Sequence, residues 1–250
     1  MPDDLAIAHP LSFRLLGWSA WTESMAMPQA LADTLSKKWV PATGYTQPGT
    51  VPMMLRRRAS ALGRHALGAA MALPEIATSR FILSSRHGEL SRTTSIMSSL
   101  AGAEPVSPAD FSMSVHHGLV GLLSIATKNT QGHSAVSAGP ESFCYGMLEA
   151  ASCIADCPGD TVIQLHYDER PEGVFGELFT DVGIEGPIAA ALSLGSAAGN
   201  DGVPLTLEFS ARRDGDKSNN HALDFLLFIL TGANNLVSHG NRLTWEWTRG

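Results

Sequence analysis

Cysteine is scarce in this chain of 250 residues, which contains only three. So few cysteines exclude a disulfide-stabilised scaffold, and Cys144, Cys153 and Cys157 all lie on or beside one predicted helix. No Cys-x-x-Cys motif or histidine pairing has the spacing of a metal site. We interpret the three as small buried hydrophobic residues in a reducing cytoplasm, and we expect neither a metal ion nor a cofactor.

Charged residues are also few, at 16% of the chain, and long hydrophobic runs are lacking. The longest strongly apolar run, residues 223–230, is far too short to span a bilayer. The first ten residues, MPDDLAIAHP, are acidic where a signal peptide would be basic. The net charge of −7 argues against a general nucleic-acid-binding protein. We therefore predict a cytoplasmic protein with no membrane span and no nucleic-acid partner.

Hydrophobic residues make up 44% of the chain, which is ordinary for a globular protein with a substantial core. We predict a single domain over residues 1–250, with a core at about 11–213 and a C-terminal helix and strand within 221–248. The order of elements predicts an α/β fold with a mixed sheet. Strands are predicted at 12–20, 80–84, 134–137, 161–167 and 243–247, a hairpin at 189–196 and 203–211, and helices at 28–35, 53–73, 89–100, 115–126, 142–156 and 221–231.

The chain is organised around residues 107–156, where a short strand turns sharply into a helix. Small and β-branched residues at 134–137 precede Ala138, Gly139 and Pro140, which we call the glycine corner, and an amphipathic helix follows. Such a corner can hold a reactive side chain beside a helix N-terminus, where outward N–H groups favour negative charge. Gly139 has no side chain that could react.

The runs SVHHG, GLLSIAT, SAVSAGPES and GMLEAA, in this order, resemble the centre of a β-ketoacyl synthase. In that family a strand ends in a Ser/Thr-Ala-Cys turn, and the cysteine heads a buried helix. Ser137 and Ala138 match the Ser/Thr-Ala pair, and Gly139 stands in place of the nucleophilic cysteine. The resemblance implies the N-terminal half of a thiolase-like fold, without the thiol on which condensing enzymes form an acyl thioester. The residues after 213 are too few for the second half, which carries two catalytic histidines in the family.

A closer resemblance covers most of the chain. Trp18 and Trp21, the motifs LRRRAS, SSRHGEL and SPADFSMSVHH, and a Trp-x-Trp ending are similar to truncated ketosynthase-like chain length factors. Those proteins accompany the ketosynthase of type II systems that make aryl polyene pigments. His117 departs from the pattern, because the family usually has asparagine after His116. Both side chains can donate a hydrogen bond.

This resemblance implies a non-catalytic subunit that forms a heterodimer with a full-length ketosynthase. The subunit would help to shape the tunnel for the acyl chain that the partner receives from an acyl carrier protein. The strand at 134–137 would lie at the dimer two-fold and bond to the partner's equivalent strand, while residues 94–97 and 111–117 would lie near the partner's channel. The tunnel and interface candidates are Thr94, Met97, Phe111, Met113, His116, His117, Ser134, Val136 and Phe143.

Two other functions remain open from the sequence. Residues 132–136 approach the Gly-x-Ser-x-Gly nucleophile elbow, and Asp168 and then His221 or His239 follow Ser134 in hydrolase order. The final glycine is missing, however, and Ser134 begins a strand where an elbow has its serine at the strand's end. A serine hydrolase would turn over a model ester and lose that activity in Ser134→Ala. A free-standing acyl or acyl-carrier-protein binding module would instead be monodisperse alone.

Three local patterns allow both a functional and a structural interpretation. His87 and Glu89 follow a predicted strand and could form an acid–base pair, or a turn before a glutamate that complements the helix dipole. We favour the turn. His116 and His117 lack a third metal ligand, so we interpret them as a packed or hydrogen-bonded pair near the interface. We assign a structural or interface role to the basic cluster of Arg56, Arg57, Arg58 and Arg64.

Overall fold

The computed structural model describes residues 10–22, 46–171, 173–178 and 186–250. The helix expected at 28–35 lies outside these residues. A 3₁₀ turn at Pro74–Ala77 precedes the second strand. The elements are β1 (Leu11–Thr22), α1 (Met53–Arg56), α2 (Ala61–Met71), β2 (Arg80–Ser84), α3 (Leu90–Ala101), α4 (Pro108–Met113), α5 (Gly118–Thr127), β3 (His133–Val136), α6 (Ser142–Asp156), β4 (Val162–Asp168), α7 (Gly173–Leu178), β5 (Ile188–Ser196), β6 (Val203–Ala211), α8 (His221–Thr231), β7 (Asn235–His239) and β8 (Leu243–Arg249).

Eight strands of the described chain form one sheet in the order β3-β2-β4-β5-β1-β6-β8-β7. Strand β2 pairs in parallel with β3 and with β4, and the remaining neighbours are antiparallel. The α/β fold with a mixed sheet is therefore confirmed. Within the described residues, β3 and β7 are the two edges of the sheet.

Helices cover both faces of the sheet. Ile82 on β2 contributes to a core shared with α6 and α8, whereas its neighbours Phe81 and Leu83 contribute to the opposite core, shared with α1, α2 and α5. Successive strand residues point to opposite faces, so both cores need apolar residues from the same strand. This explains why β2 and much of β4 and β5 are nearly continuous apolar runs.

Strand β1 changes its alternation in the middle. Phe13, Leu15 and Trp18 are all buried in the core shared with α6 and α8, although regular alternation would place Trp18 on the other face. The register against β5 shifts between Leu15 and Gly17, which marks a bulge. One extra residue reverses which positions face the core.

The predicted hairpin between residues 189–196 and 203–211 is wrong. Both segments are strands, β5 and β6, but β1 lies between them and pairs antiparallel with each. Strands that are consecutive in sequence usually pair, and nothing in the local pattern of residues 189–211 shows that a distant strand lies between these two. The twelve-residue β1 is long enough to bond to both partners.

The predicted helix at 53–73 is two helices, because residues 57–60 are not helical and interrupt it. Ser60 caps α2, since its side chain accepts a hydrogen bond from the Gly63 N–H at 3.0 Å. The apolar spacing continues across the break because both helices pack on the same core. Three elements were not predicted, namely α4 before the helix expected at 115–126, α7 after β4, and β7 before the last strand.

The predicted helices at 142–156 and 221–231 match α6 and α8 residue for residue. Helix α8 has strong end signals, because the Asn220 side chain accepts a bond from the Leu223 N–H and Gly232 ends the helix with a φ of 69°. Among the described helices, none is both long and apolar enough to cross a membrane.

Candidate functional site

The glycine corner joins β3 to α6 and is held by its own hydrogen bonds. The Ser142 hydroxyl accepts from the Ala138 N–H at 2.9 Å and donates to the Gly139 carbonyl at 2.7 Å. Gly139 has a φ of 62°, in the left-handed region that favours glycine. A Cβ added there would meet no atom within 4 Å. The corner is therefore strained for other residues but has open space where a side chain would begin.

A buried polar cluster lies on the same face of the sheet, at the ends of β2 and β4. Ser84 Oγ lies 3.0 Å from His166 Nδ1 and accepts a bond from Gln164 Nε2 at 3.2 Å. Gln164 also donates to the Phe143 carbonyl at 2.9 Å, which ties the cluster to α6. Gly146 allows this close approach, because a Cβ there would lie 2.7 Å from both Gln164 Nε2 and Ser84 Cβ.

Asp168 ends β4 and holds the turn that follows β2. Its carboxylate accepts bonds from the Arg86 N–H at 2.7 Å, the His87 N–H at 3.1 Å and the Ser85 hydroxyl at 3.1 Å. Burial raises the pKa of Asp168 to about 7 against the opposing effect of these donors. Burial also lowers the pKa of His166 to about 3, so that His166 is neutral at physiological pH. Asp168 is thus an anchor for the backbone of the turn.

A small cavity of about 20 Å³ lies between the glycine corner and the start of α8. A space of this size holds about one water molecule, so an acyl chain cannot enter it. Its wall includes residues from the first turns of both α6 and α8. The lining includes Gly139, Phe143, His166, Asp168, His221 and Arg86.

Glu141 fixes the corner to the C-terminal strands, and sequence analysis missed this role. Its buried carboxylate accepts bonds from the backbone N–H groups of Asn241 and Arg242, at 2.8 and 2.9 Å, and from Trp245 Nε1 at 2.9 Å. Gly240 leaves room for this contact, because a Cβ there would overlap the carboxyl group. The donors lie about a hundred positions later in the chain, so no local pattern could identify them.

We expect Glu141→Ala to lower the free energy of unfolding by about 3 kcal/mol, because the buried Trp245 N–H and two part-buried backbone N–H groups lose their charged acceptor. Chemical denaturation followed by circular dichroism measures the change. Glu104→Ala is the control, since Glu104 is exposed in a loop and its loss should change stability by less than about 0.5 kcal/mol. Equal effects of the two substitutions would contradict this role of Glu141.

The edge strand β3 has one bonded side and one open side. Its pairing with β2 uses the carbonyls of Gly132 and Val136, which accept from the N–H groups of Phe81 and Ser85. Bonding groups alternate along a strand, so the N–H and C=O groups of His133 and Ala135 point away from β2. Within the described chain no other strand pairs with this side. The open side of β3 can therefore pair with a strand of another chain.

Large exposed hydrophobic side chains lie on α3, α4 and α5 and on the turn before α5. We call the following set the apolar surface: Met97, Leu100, Phe111, Val115 and Ile125. Helices α3 and α4 are joined by an ion pair between Arg92 and Asp110. The rings of His117, which precedes α5, and His133 on β3 stack with centroids 6.1 Å apart. The His117–His133 contact thus links the turn before α5 to the open edge.

The predicted tunnel and interface residues fall into three groups. Met97 and Phe111 are 54% and 63% exposed, and His117 is exposed as well. Thr94, His116, Ser134 and Val136 are half-buried, and Thr94 lines a groove of about 330 Å³. Met113 and Phe143 are buried in this chain's own cores, where Phe143 packs edge-on to His166. Replacing Met113 or Phe143 by a smaller residue would therefore disturb the packing of this chain's own core, whatever its effect on a shared tunnel.

The residues expected for a serine hydrolase, for a His87–Glu89 acid–base pair or for a metal site do not form such a site among the described residues. In the described part of the chain, no hydrogen bond joins Ser134 to Asp168, His221 or His239, and Ser134 lies two residues before the end of β3. Glu89 is buried and bonded to Ser60 and Arg92, so it is occupied in holding α3 rather than exposed beside His87. The described residues contain no cluster of three or more metal-ligating side chains.

Several known proteins are similar to this chain. Residues 18–248 match the family model "Beta-ketoacyl synthase, N-terminal domain". A chain of the ketosynthase (ApeO) in complex with its chain length factor (ApeC) from Xenorhabdus doucetiae has 28% sequence identity and a TM-score of 0.77, with 96% of this chain and 100% of that chain covered. No curated protein sequence matches.

Two further structures support the fold alone, because their sequence identity is low. The ishigamide ketosynthase/chain length factor has 16% identity and a TM-score of 0.58, over 84% of this chain and 69% of that chain. A type II acyl carrier protein complex with its ketosynthase, AntDE:AntF, has 11% identity and a TM-score of 0.65, over 95% and 99%. The predicted thiolase-like fold, matching the N-terminal half of a ketosynthase, is confirmed, and the chain belongs to the β-ketoacyl synthase N-terminal domain family.

Proposed function

We propose that this chain is a non-catalytic, chain-length-factor-like subunit that pairs with a full-length ketosynthase in the cytoplasm. Together they would shape the tunnel for an acyl or polyene chain in type II aryl polyene biosynthesis. The observation that carries the proposal is the open edge of β3, together with the exposed hydrophobic residues of the apolar surface. Similarity to a ketosynthase and chain length factor complex at 28% identity supports the choice of partner.

Pairing through β3 would satisfy the free backbone groups of His133 and Ala135. Two sheets joined along their edges gain main-chain hydrogen bonds. The side chains on both faces of the two joined strands then determine which partner fits. The apolar surface would then be covered by the same partner, since monomers seldom expose so many large hydrophobic residues on neighbouring helices. Met97 and Phe111 are the exposed members that coincide with the predicted tunnel residues.

A catalytic role for the chain itself is opposed by the residue at the corner. Gly139 offers no nucleophile for a covalent acyl intermediate. The small cavity behind it is also too narrow for an acyl chain. The partner would therefore supply both the thiol and the acyl-loading chemistry, and carrier-bound substrate would reach the complex through the partner. The single-domain assignment, with its core at 11–213 and additions at 221–248, is part of this proposal.

Co-expression tests the proposal directly. We expect the chain to be poorly soluble alone and to form a stable 1:1 complex with a ketosynthase encoded by a neighbouring gene, measured by size-exclusion chromatography with light scattering. The physical reason is the exposed edge and apolar surface, which favour self-association when uncovered. A monodisperse monomer that ignores the ketosynthase would contradict the proposal and favour the free-standing binding module.

A thiol at the corner should not restore condensation. We expect Gly139→Cys, assayed with a partner whose own nucleophilic cysteine is replaced, to give no carbon–carbon bond formation. In the proposed complex only the partner supplies the second half of the fold, which carries the family's two catalytic histidines. Acyl transfer to the new thiol can be followed separately by intact-protein mass spectrometry. The unmodified pair is the positive control. Condensed product from the doubly altered complex would contradict the non-catalytic assignment.

A further inference from the structure

The cavity behind the glycine corner has a histidine without a hydrogen-bond partner on one ring nitrogen. His221 is the first residue of α8, is 4% exposed and lines the cavity together with Gly139. Its Nδ1 lies 2.7 Å from the Ser238 hydroxyl. Its Nε2 is buried and has no partner among the residues that the structure describes. A buried polar atom of this kind needs an explanation, and a small group bound in the cavity would supply one.

The neighbouring hydrogen bonds determine which nitrogen carries the proton. Ser238 donates its hydroxyl proton to Asp224 Oδ2, 3.2 Å away, and Ser218 donates to the same oxygen. This arrangement favours the Ser238 oxygen as the acceptor toward His221, and hence Nδ1 as the protonated nitrogen. Burial lowers the pKa of His221, so the ring is neutral. Nε2 consequently carries a lone pair.

We propose that His221 is a proton acceptor for a small protic group held against Gly139, so that the corner retains an acid–base site although it has no nucleophile. The cavity of about 20 Å³ limits that group to about one or two heavy atoms, such as water or a thiol attached at residue 139. The inference concerns this chain alone and does not depend on a partner. It assigns His221 a chemistry that its packing does not require.

The proton transfer balances for a thiol at position 139. The proton leaves Sγ for Nε2 of His221, and a thiolate and an imidazolium result. The thiolate would lie at the N-termini of two helices, α6 with 15 residues and α8 with 11, where N–H groups favour negative charge. The imidazolium would be stabilised through Ser238 by Asp224. Both charges therefore have a partner.

Other ionisable groups surround this site and must be considered in its pH dependence. Asp224 on α8 and Glu141 before α6 favour the protonated imidazole. His166 and Asp168 on β4 and Arg86 after β2 also line the cavity. Arg86 is positive and Asp168 can be negative, so their effects on a thiolate oppose each other. Substitution of His221 is therefore needed to separate its contribution to the thiol pKa from the contributions of these neighbouring charges.

The experiment measures the thiol pKa in Gly139→Cys, in a background of Cys153→Ser and Cys157→Ser. Cys144 is fully buried with a raised pKa and does not compete. Iodoacetamide labelling of residue 139 is followed by mass spectrometry from pH 5 to pH 9, in the free chain or in the co-purified complex, whichever stays in solution. We expect an apparent pKa below about 7.5, compared with about 8.5 for a free thiol.

Adding His221→Asn separates the imidazole from the helix termini. The asparagine amide can keep the bond to Ser238 but removes the nitrogen that would accept the proton, so labelling at pH 6 should fall at least about tenfold. His239→Asn is the matched control, because His239 bonds to Thr244 and does not line the cavity. A thiol pKa near 8.5, or equal rates with and without His221, would overturn the proposal.

A second measurement needs no substitution at Gly139, where the positive φ disfavours cysteine. Nitrogen-15 NMR of histidine-labelled protein reports the ring tautomer, and loss of one signal in His221→Asn assigns it among the nine histidines. We expect the Nδ1-protonated form near neutral pH. An Nε2-protonated ring would be a donor to the cavity and would overturn the proposal even if the cysteine variant did not fold.

Discussion

Proline at position 135 is expected to abolish the complex with the ketosynthase while leaving this chain folded. The Ala135 N–H points away from β2, so a proline there keeps the bonds within this sheet. It removes a donor from the open edge and places its ring where the partner strand would lie. We expect affinity to fall about 100-fold or more, measured by surface plasmon resonance or by co-purification yield.

Ala135→Ser is the matched control for that experiment. It changes the same exposed position but keeps the N–H, so complex formation should persist. Circular dichroism and thermal unfolding check that Ala135→Pro leaves the isolated fold unchanged. If the proline variant binds the ketosynthase as well as the unaltered chain does, β3 does not pair with the partner. The contribution of the apolar surface to binding must then be tested by itself.

Longer products are expected when Phe111 or Met97 is replaced by alanine. Each substitution removes an exposed side chain from the apolar surface, and room for about one or more additional two-carbon units would open in the shared tunnel. Each further buried CH₂ of the acyl chain gains about 0.8 kcal/mol, which favours extension into the new space. Mass spectrometry of carrier-bound products from the reconstituted pair gives the chain-length distribution.

Two controls distinguish tunnel shape from loss of structure. Met113→Ala removes a side chain from this chain's own core and should cost about 2 to 5 kcal/mol of stability without lengthening the product. Val237→Ala removes an exposed hydrophobic residue on β7, at the opposite edge of the sheet, and should change neither property. The partner's initial rate of acyl loading should remain nearly constant. Lower yield with an unchanged distribution would mean that the subunit only supports the ketosynthase.

Elements with strong local signals were predicted accurately. Helix α8 has an asparagine cap, a continuous apolar core face and a terminal glycine, and its predicted and observed limits are the same. Strand β2 is a short apolar run followed by polar residues, and its limits also agree. These features depend on neighbours within a few residues, where backbone preferences act. The break at Ser60 was missed because the apolar spacing continues through it.

Pairing between distant strands was not predictable in the same way. The hairpin prediction failed because β1, almost two hundred positions earlier, occupies the place between β5 and β6. The contacts of Glu141 with the turn before β8 are equally distant. Met113 and Phe111 are two residues apart in one short helix, yet one is buried and the other exposed. Only the packing of the neighbouring elements distinguishes them.

The sequence alone determined that residue 139 is a glycine, and hence that the corner has no nucleophile, because the chemistry of a side chain is a local property. It also determined most of the helices and strands, since periodicity and end residues act over a few positions. The tertiary structure decided the strand order, the open edge at β3 and the presence of His221 and Gly139 on the wall of one cavity. These features depend on which distant segments bury their apolar faces together, and many arrangements satisfy the same local patterns.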